Sequence, residues 1–459
     1  MTDPVLDRLA ATLAQVHAEV PLGRVAGASG GAVLVSGLAD VARLGDRLRL
    51  RPAGRPPVAA EVVRIGEDHL LALPEGAAEG LRLHDPAELL PPPLFAPHAD
   101  WLGRVVDPDG RPLDGRPLLP GAKARSLRAE PPPAGARRAM GERLATGYAV
   151  FDTLLPLARG QRIGLFAGSG VGKSTLLGGL AKGVAADVVV IGLVGERGRE
   201  LRHFVEEVLG EAGMARAVVV AATSDRAPQV RRRCALAATA VAEHFRDEGK
   251  QVLLLIDSVT RFAEGHREVA VAAGEGAALR GFPASTAPAI AALCERAGPG
   301  AGDQGDITAV YSVLVQGSDM EEPVADWLRG VLDGHVVLDR AIAERGRFPA
   351  VDLLRSVSRS LPGIASRVEN QLINEARALL GAHDRAALMI RSGLYAAGSD
   401  PQVDAAVAAE PHLDRFLAQS GQASVAASFA ALRQALAPAR PQARKEAGRG
   451  QPGPAPGEG

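Results

Sequence analysis

A glycine-rich run, AGSGVGKST at 167–175, follows the apolar segment RIGLF and precedes a stretch with leucines at helical spacing. A loop in this context binds phosphate, because glycines let backbone N–H groups approach phosphate oxygens and the following helix N-terminus adds positive potential. Lys173 is placed to reach the β- and γ-phosphates, and the Ser174 hydroxyl to ligate Mg²⁺. The run therefore predicts that the chain binds ATP with Mg²⁺. The predicted nucleotide-binding residues are Gly168, Ser169, Gly170, Val171, Gly172, Lys173, Ser174 and Thr175.

Two acidic residues end other apolar runs and are candidates for chemistry on that nucleotide. Asp257 closes VLLLID, where an aspartate can hold a water on Mg²⁺. Glu196 follows DVVVIGLV at the edge where open parallel sheets bind ligands, so it can polarise an attacking water. Arg197, beside it, can help to hold the γ-phosphate. The alternative is a solvated surface cluster of charges, which the residues alone leave open.

The segment RFPAVDLLRSVSRS at 347–360 supplies two further candidates. Phe348 could stack on an adenine ring, and Arg359 could act as an arginine finger that stabilises the transition state of a neighbouring subunit. Taken alone, they could equally be an aromatic residue of the core and an arginine of the surface.

Short apolar runs separated by helical stretches begin beyond Gly147 and must position these residues. Such runs indicate a parallel sheet covered on both faces. From Arg24 to about Leu90 the pattern alternates between apolar and polar, with glycine and proline between the runs, which is typical of a small antiparallel barrel. From about Ile364 the chain is rich in alanine and leucine at helical spacing. We therefore predict an α/β fold with a P-loop core, an N-terminal β-barrel and a C-terminal helical domain.

The two ends differ from these regions. Residues 1–22 predict an amphipathic helix, whose apolar stripe either packs on its own domain or binds a partner. The residues after Leu436 are poor in large apolar side chains and are predicted to be disordered. The predicted segments are an N-terminal helix at 1–22, a barrel at 23–92, an ATPase core at 93–362, a helical domain at 363–437 and a tail at 438–459.

Composition limits the classes of function. The 459 residues are enough for about three domains, and 52 basic against 53 acidic residues give no electrostatic footprint for DNA or RNA. The two cysteines, Cys234 and Cys294, lack metal-ligand spacing and fit a reducing compartment. Neither a signal peptide nor a long apolar span is apparent, so a cytoplasmic protein is expected.

The motifs together resemble the flagellar protein-export ATPases, also called flagellum-specific ATP synthases, which are related to type III secretion ATPases and to the catalytic subunits of rotary ATP synthases. The resemblance extends from about Leu6 to Leu436. It is carried by GQRIGLFAGSGVGKSTLL, LVGERGREL, VVVAATSD, HFRDEGKQVLLLIDSVTRFA, HREVAVAAGE, DGHVVLDRAIAERGRFPAVD and SVSRS.

The resemblance implies a RecA-like core that assembles as a ring with ATP at the interfaces between subunits. One chain carries both halves of such a site, so a homohexamer is expected. By resemblance, Lys173, Ser174 and Thr175 belong to the phosphate and magnesium loop, Glu196 is the catalytic glutamate with Arg197 beside it, and Asp257 is the magnesium-side acid. Phe348 takes the place of the tyrosine that usually contacts adenine, and Arg359 takes that of the arginine finger.

The same resemblance implies partners and a location. The N-terminal helix would bind a stator-like regulator of the export ATPase, and a central stalk-like protein would bind the ring. The ring would act at the export gate, on chaperones and on exported flagellar subunits, at the cytoplasmic face of the inner membrane. Binding of nucleic acid is not expected.

The phosphate loop departs from the strict motif at its first position, where Ala167 replaces glycine. The sequence departs from the family pattern at two places: His266 stands where glutamine is more usual, and EGAALRGFPASTA at 275–287 replaces a segment with Pro-Pro and Gly-Tyr-Pro-Pro turns. The last segment lies near the central pore in relatives, so contacts there are expected to differ.

Four alternatives remain open. The nearest is the injectisome ATPase of virulence secretion, followed more remotely by a rotary synthase subunit. A hexameric RNA translocase would need a basic and aromatic N-terminal fold, and Arg24 to Leu90 contains no aromatic residue. A nucleotide binder without hydrolysis is disfavoured because Lys173, Glu196 and Asp257 are all present.

Overall fold

A short helix opens the computed structural model, which describes residues 4–13, 19–315 and 320–439. Helix α1 spans Pro4–Leu13. The Arg8 guanidinium holds it by donating to the Asp100 carboxylate at 2.6 Å and to the Leu119 carbonyl at 2.9 Å. Leu6 and Leu13 are 62% and 70% exposed, so the described part of the chain leaves this apolar stripe uncovered. Residues 1–3 and 14–18 of the predicted N-terminal helix, and the predicted tail from 440 onward, lie outside the described residues.

Six antiparallel strands then close into a barrel in the order β1-β2-β5-β4-β3-β6. Alternation explains the barrel, because in β3 the two leucines, Leu48 and Leu50, are buried inside while Arg49 points to solvent. The strands are β1 (Leu22–Ser29), β2 (Ala32–Ser36), β3 (Arg47–Leu50), β4 (Val58–Ile65), β5 (His69–Pro74) and β6 (Pro86–Leu89).

An eight-stranded sheet forms the centre of the molecule, in the order β14-β13-β8-β12-β11-β9-β10-β7. All neighbouring strands are parallel except β14, which is antiparallel to β13. The strands are β7 (Arg104–Val106), β8 (Arg162–Ala167), β9 (Val188–Glu196), β10 (Ala217–Thr223), β11 (Val252–Asp257), β12 (Ile307–Leu314), β13 (Gly334–Leu338) and β14 (Val351–Ser358).

Helices cover both faces of this sheet. One face packs against α3 and the C-terminal helices, and the other packs against α6 to α9. The helices that precede the C-terminal region in the chain are α2 (Ala149–Asp152), α3 (Lys173–Gly183), α4 (Gly198–His203), α5 (Gly210–Met214), α6 (Pro228–Asp247), α7 (Val259–Ala272), α8 (Thr286–Glu295), α9 (Pro323–Val331) and α10 (Arg340–Glu344). The C-terminal helices are α11 (Arg367–Arg391), α12 (Pro401–Leu417) and α13 (Val425–Leu436). Among the described residues, no helix is long and apolar enough to span a bilayer.

A buried ionic network joins the barrel to the sheet. Arg233 of α6 donates to Glu61 and Glu75 of the barrel, each at 2.8 Å, and to Asp109 at 3.0 Å. Arg47 of β3 pairs with Glu75 and Asp109, each at 2.8 Å. These side chains are at most 13% exposed. The barrel is therefore fixed to α6 by charges that are largely shielded from water.

Arg233→Ala is expected to lower the free energy of unfolding by about 3–5 kcal/mol, because it leaves buried carboxylates without their shared cation. The urea-unfolding transition measures this loss. Arg51→Ala is the matched control: Arg51 pairs with Glu88 but is 47% exposed, so its removal should cost at most about 1 kcal/mol. Equal shifts for the two variants would show that the network does not hold the barrel.

Candidate functional site

The phosphate loop lies between the last residue of β8, Ala167, and the first residue of α3, Lys173. Gly170 and Gly172 have φ angles of 77° and 82°, a left-handed conformation that residues with a Cβ rarely adopt. The glycines at these positions therefore allow the turn that points backbone N–H groups towards a ligand. The loop forms one wall of a cleft of about 1210 Å³.

Three charged side chains lie at or beyond the ends of strands near this cleft. Lys173 follows β8, Glu196 ends β9 and Asp257 ends β11, so all three lie at the carboxyl edge of the sheet. The Lys173 ammonium forms an ion pair with Asp257, and the Ser312 hydroxyl of β12 donates to the same carboxylate oxygen at 2.6 Å. Asp257 is 3% exposed, and these two donors fix its carboxylate beside the phosphate loop.

Glu196 is half-buried and close to this pair. Burial, and then the Asp257 carboxylate, raise the pKa of Glu196 to about 7, against the lowering influence of Lys173. A carboxyl group with a pKa near the working pH can exchange a proton with water during a reaction. The site thus places an acid–base group beside the phosphate loop.

Arg197 stands at the mouth of the cleft. It is the residue before α4, and its guanidinium donates to Glu200 at 3.2 Å while remaining 66% exposed. It lines the cleft together with the phosphate loop. In this arrangement Arg197 is free to turn towards a bound phosphate, but no contact in the described chain holds it there.

Phe348 lies against the phosphate loop. Its ring is so close to Gly172 that a Cβ at position 172 would be 3.1 Å from Cδ1, although the side chain is 50% exposed. An exposed aromatic ring beside the loop can stack on a nucleotide base. The structure therefore brings Phe348 to the predicted site.

Arg359 lies at the amino edge of the sheet, where the parallel strands begin, opposite to the carboxyl edge that holds the phosphate loop. In β13, Leu338 pairs with both Ala167 of β8 and Val351 of β14, whereas Gly334 pairs with Ser358. Strand β14 therefore begins beside the phosphate loop and ends beside the start of β8. At ~3.3 Å per residue, the end of β14 lies about 16 Å from the loop. Arg359 is exposed there and donates to the Arg329 carbonyl at 3.2 Å. Its own chain does not bring it to the cleft.

Two further residues contribute to the site and were given no role from the sequence. Ser312 fixes Asp257 by a hydrogen bond. The sequence feature that could have identified Ser312 is a hydroxyl residue within the largely apolar strand ITAVYSVL. Arg261 of α7 packs its Cβ 3.4 Å from the position that a Cβ of Gly195 would occupy. Its charge is paired with Glu264 at 2.8 Å and also faces Glu196, and these contacts raise the pKa of Arg261.

Two family models match the chain. The model of the ATP synthase alpha/beta family, nucleotide-binding domain, matches residues 147–358, which hold every candidate residue of the cleft. The model described as the T3SS EscN ATPase C-terminal domain matches residues 365–437, which correspond to α11, α12 and α13.

Solved structures share the fold. The assembled ATPase EscN of the enteropathogenic E. coli type III secretion system is 36% identical, with a TM-score of 0.83, over 90% of this chain and 100% of that chain. The same ATPase in complex with its central stalk EscO gives a TM-score of 0.80. The predicted fold class, with an N-terminal barrel, a parallel-sheet P-loop core and a C-terminal helical region, is confirmed.

Curated relatives match over nearly the same length. The flagellum-specific ATP synthase of Caulobacter vibrioides is 44% identical over 90% of this chain and 95% of its own. The type 3 secretion system ATPase of Sinorhizobium fredii is 40% identical over 91% and 92% of the two chains. Given these matches and the cleft they cover, the chain belongs to the family of flagellum-specific ATP synthases and type III secretion ATPases, and it is an ATPase.

Proposed function

We propose that the chain is the ATP-hydrolysing ring subunit that powers protein export during assembly of the bacterial flagellum. The observation that carries this proposal is the match at residues 365–437, because it lies outside the nucleotide-binding domain that rotary synthases share. The relatives named flagellum-specific ATP synthases, in Caulobacter vibrioides and Bacillus subtilis among others, favour the flagellar system over the injectisome.

The cleft residues suit hydrolysis of a nucleoside triphosphate. The backbone N–H groups of the loop and Lys173 bind the phosphates, and Glu196 orients and polarises the attacking water. Ser174 is exposed on the first turn of α3, and the Asp257 carboxylate pairs with Lys173, the residue before it. A hydroxyl and a carboxylate are donors that Mg²⁺ accepts, so these residues fit the ion. When bound, Mg²⁺ neutralises phosphate charge.

Lys173 connects nucleotide binding to the state of Glu196. In the structure the Lys173 ammonium pairs with Asp257 and lowers the pKa of Glu196. Triphosphate oxygens compete for the same ammonium, so binding draws Lys173 from the carboxylates towards the phosphates. The proposed site therefore couples the arrival of substrate to the acid–base group.

The specificity constant for ATP is expected to fall as the pH falls through about 7. The pKa of Glu196 is raised to about 7, and the ionised form is the one that accepts a proton from water. Because kcat/KM reports groups of the free enzyme, its value at pH 6 should be about tenfold below that at pH 8. Steady-state kinetics across this range provide the measurement. A profile that stays flat down to pH 5 would contradict the role of Glu196.

Phe348→Ala is expected to raise the KM for ATP about tenfold, because stacking of an aromatic side chain on a base contributes about 1–3 kcal/mol. The turnover number should change little, since in this role the ring holds the base and takes no part in the transfer of the phosphoryl group. Phe348→Tyr keeps the ring and serves as the control with near-normal KM. An alanine variant with unchanged KM would show that Phe348 does not bind the base.

Assembly and partners follow from the relatives. EscN is described as an assembled ATPase and in complex with a central stalk, and we extend both features to this chain as a homohexamer around a stalk-like protein. The uncovered leucines of α1 support binding of a stator-like regulator. The export gate, the chaperones and the exported flagellar subunits complete the proposed partners. The proposed place is the cytoplasmic face of the inner membrane, at the base of the flagellum.

The test is complementation in a flagellated bacterium that lacks its own export ATPase. The chain should restore secretion of flagellar subunits, whereas Lys173→Ala, expressed at the same level, should not. A chain that hydrolyses ATP but restores secretion only in a strain lacking its injectisome ATPase would assign it to that system instead.

A further inference from the structure

One wall of the nucleotide cleft is formed by the segment between α7 and α8. This segment turns sharply, with an isolated β-bridge between Ala277 and Pro283. At its tip Arg280 has a left-handed φ of 47°, which is uncommon for a residue other than glycine. Arg280 and Phe282 line the same cleft as the phosphate loop. The position of this turn therefore sets the shape of the cleft.

An aromatic contact fixes one side of the turn. The Arg267 guanidinium of α7 lies over the Phe282 ring, 5.0 Å from its centroid. The Trp327 ring of α9 meets Phe282 edge to face, with the centroids 5.8 Å apart. These contacts hold the cleft side of the turn against two helices of the core.

The base of the turn is closed by three polar side chains. The Ser285 backbone N–H donates to Glu275 Oε1 at 2.9 Å, and its hydroxyl donates to Glu275 Oε2 at 2.6 Å. His266 Nε2 lies 2.9 Å from the same hydroxyl. Because the single hydroxyl proton goes to the carboxylate, Nε2 must be the donor in this contact. The tautomer of His266 is thus set by the pair that it joins.

The surroundings of His266 favour its neutral form. Burial, and then Arg232 of α6 and the nearby Arg128, lower the pKa of His266 below its ordinary value of 6.5, while Glu275 opposes them. Its ring stacks on Phe262. A proton on His266 would add a third cation beside two arginines. Neutral His266 therefore contributes its full stabilisation of the folded chain above pH 6.5, and this contribution is lost as the pH falls towards the lowered pKa.

We propose that Glu275, Ser285 and His266 form a clamp that positions the 277–283 turn and thereby sets the affinity of the cleft for ATP. Within the clamp these are positioning residues, because they act through the turn and not on the substrate. The inference rests on the cleft being the ATP site proposed above. It also gives a role to His266, at which the chain departs from the glutamine that is usual in the family.

Kinetics of the full-length ATPase at pH 7.5 test the clamp. His266→Ala, which removes one hydrogen bond, should raise the KM for ATP about three- to tenfold. Ser285→Ala, which removes the hydroxyl contacts to both Glu275 and His266, should raise the KM at least as much. The kcat of both variants should stay within about twofold of the wild type. His266→Gln should keep a normal KM, because its amide N–H can still donate to Ser285. Ser392→Ala, a serine on the exposed end of the C-terminal helices, is the matched control and should behave as the wild type.

Acid provides the second readout. As the pH falls below 6.5, the KM of the wild type should rise relative to that of His266→Gln, because a proton on His266 adds a third cation beside Arg232 and Arg128. The titration of Glu196 is common to both proteins and cancels in this ratio. The clamp is refuted if the alanine variants keep the wild-type KM. It is equally refuted if His266→Gln behaves like His266→Ala, with lowered melting temperature and kcat. A wild type without ATPase activity would instead refute the assignment of the cleft.

Discussion

Glu196→Gln is expected to lower the rate of ATP hydrolysis about a thousandfold, within the range of 10²–10⁴ typical of a lost general base. The amide has the shape of the carboxyl group but cannot accept a proton from the attacking water. Lys173, Ser174 and the loop are unchanged, so binding of the nucleotide should persist. Removing a carboxylate that disfavours polyphosphate should even strengthen binding slightly.

The measurement combines turnover with binding of a fluorescent ATP analogue. Glu207→Gln is the matched control, because this glutamate is 72% exposed and pairs only with His203 among the described residues. The control should keep the wild-type rate. A Glu196→Gln protein that hydrolyses ATP within about tenfold of the wild type would exclude Glu196 as the base.

The phosphate side of the site could be predicted because each of its residues is marked by its own short stretch of sequence. Lys173, Glu196 and Asp257 each follow a continuous apolar run, and parallel strands end at one edge of a sheet. Their meeting therefore follows from local patterns and one topological rule. The sequence could not supply the raised pKa of Glu196, which depends on burial and on the distance to Asp257.

The outer strands of the sheet, and with them the position of Arg359, were harder to predict from local sequence patterns. The apolar runs that predicted buried strands, such as RIGLF, DVVVIGLV and VLLLID, do not include β7, β13 or β14. β14 is an edge strand with Leu354 and Val357 exposed, so it lacks the continuous apolar run that marks a buried parallel strand. β7 has only three residues in a turn-rich stretch. Consequently the position of Arg359 relative to the cleft could not be predicted from the sequence and is known only from the structure.

Contacts between distant segments were also beyond the sequence. The network around Arg233 joins residues from the barrel to α6, and no local pattern relates Glu61 or Asp109 to that helix. His266 and the 275–287 segment were separate departures from the family pattern. Their meeting at Ser285 depends on how the chain returns from α7 to α8.

Arg359→Ala is expected to reduce the rate of ATP hydrolysis about a thousandfold, at the lower end of the 10³–10⁵ typical of an arginine finger. The strand register separates Arg359 from the phosphate loop of its own chain, with Arg359 beyond Ser358 and the loop beyond Ala167. An exposed arginine at that edge can serve the cleft of a neighbouring copy in a closed ring. Nucleotide binding by the single chain should remain normal.

Mixing two inactive proteins separates action within one chain from action across an interface. Arg359→Ala subunits keep Glu196, and Glu196→Gln subunits keep Arg359. In randomly mixed rings about one quarter of the interfaces combine both intact residues, so activity should return to about that fraction of the wild-type level if sites act independently. Each protein alone, at the same total concentration, is the control. If Arg359 acted within its own chain, no mixed interface would be complete and the mixture would stay as inactive as its components.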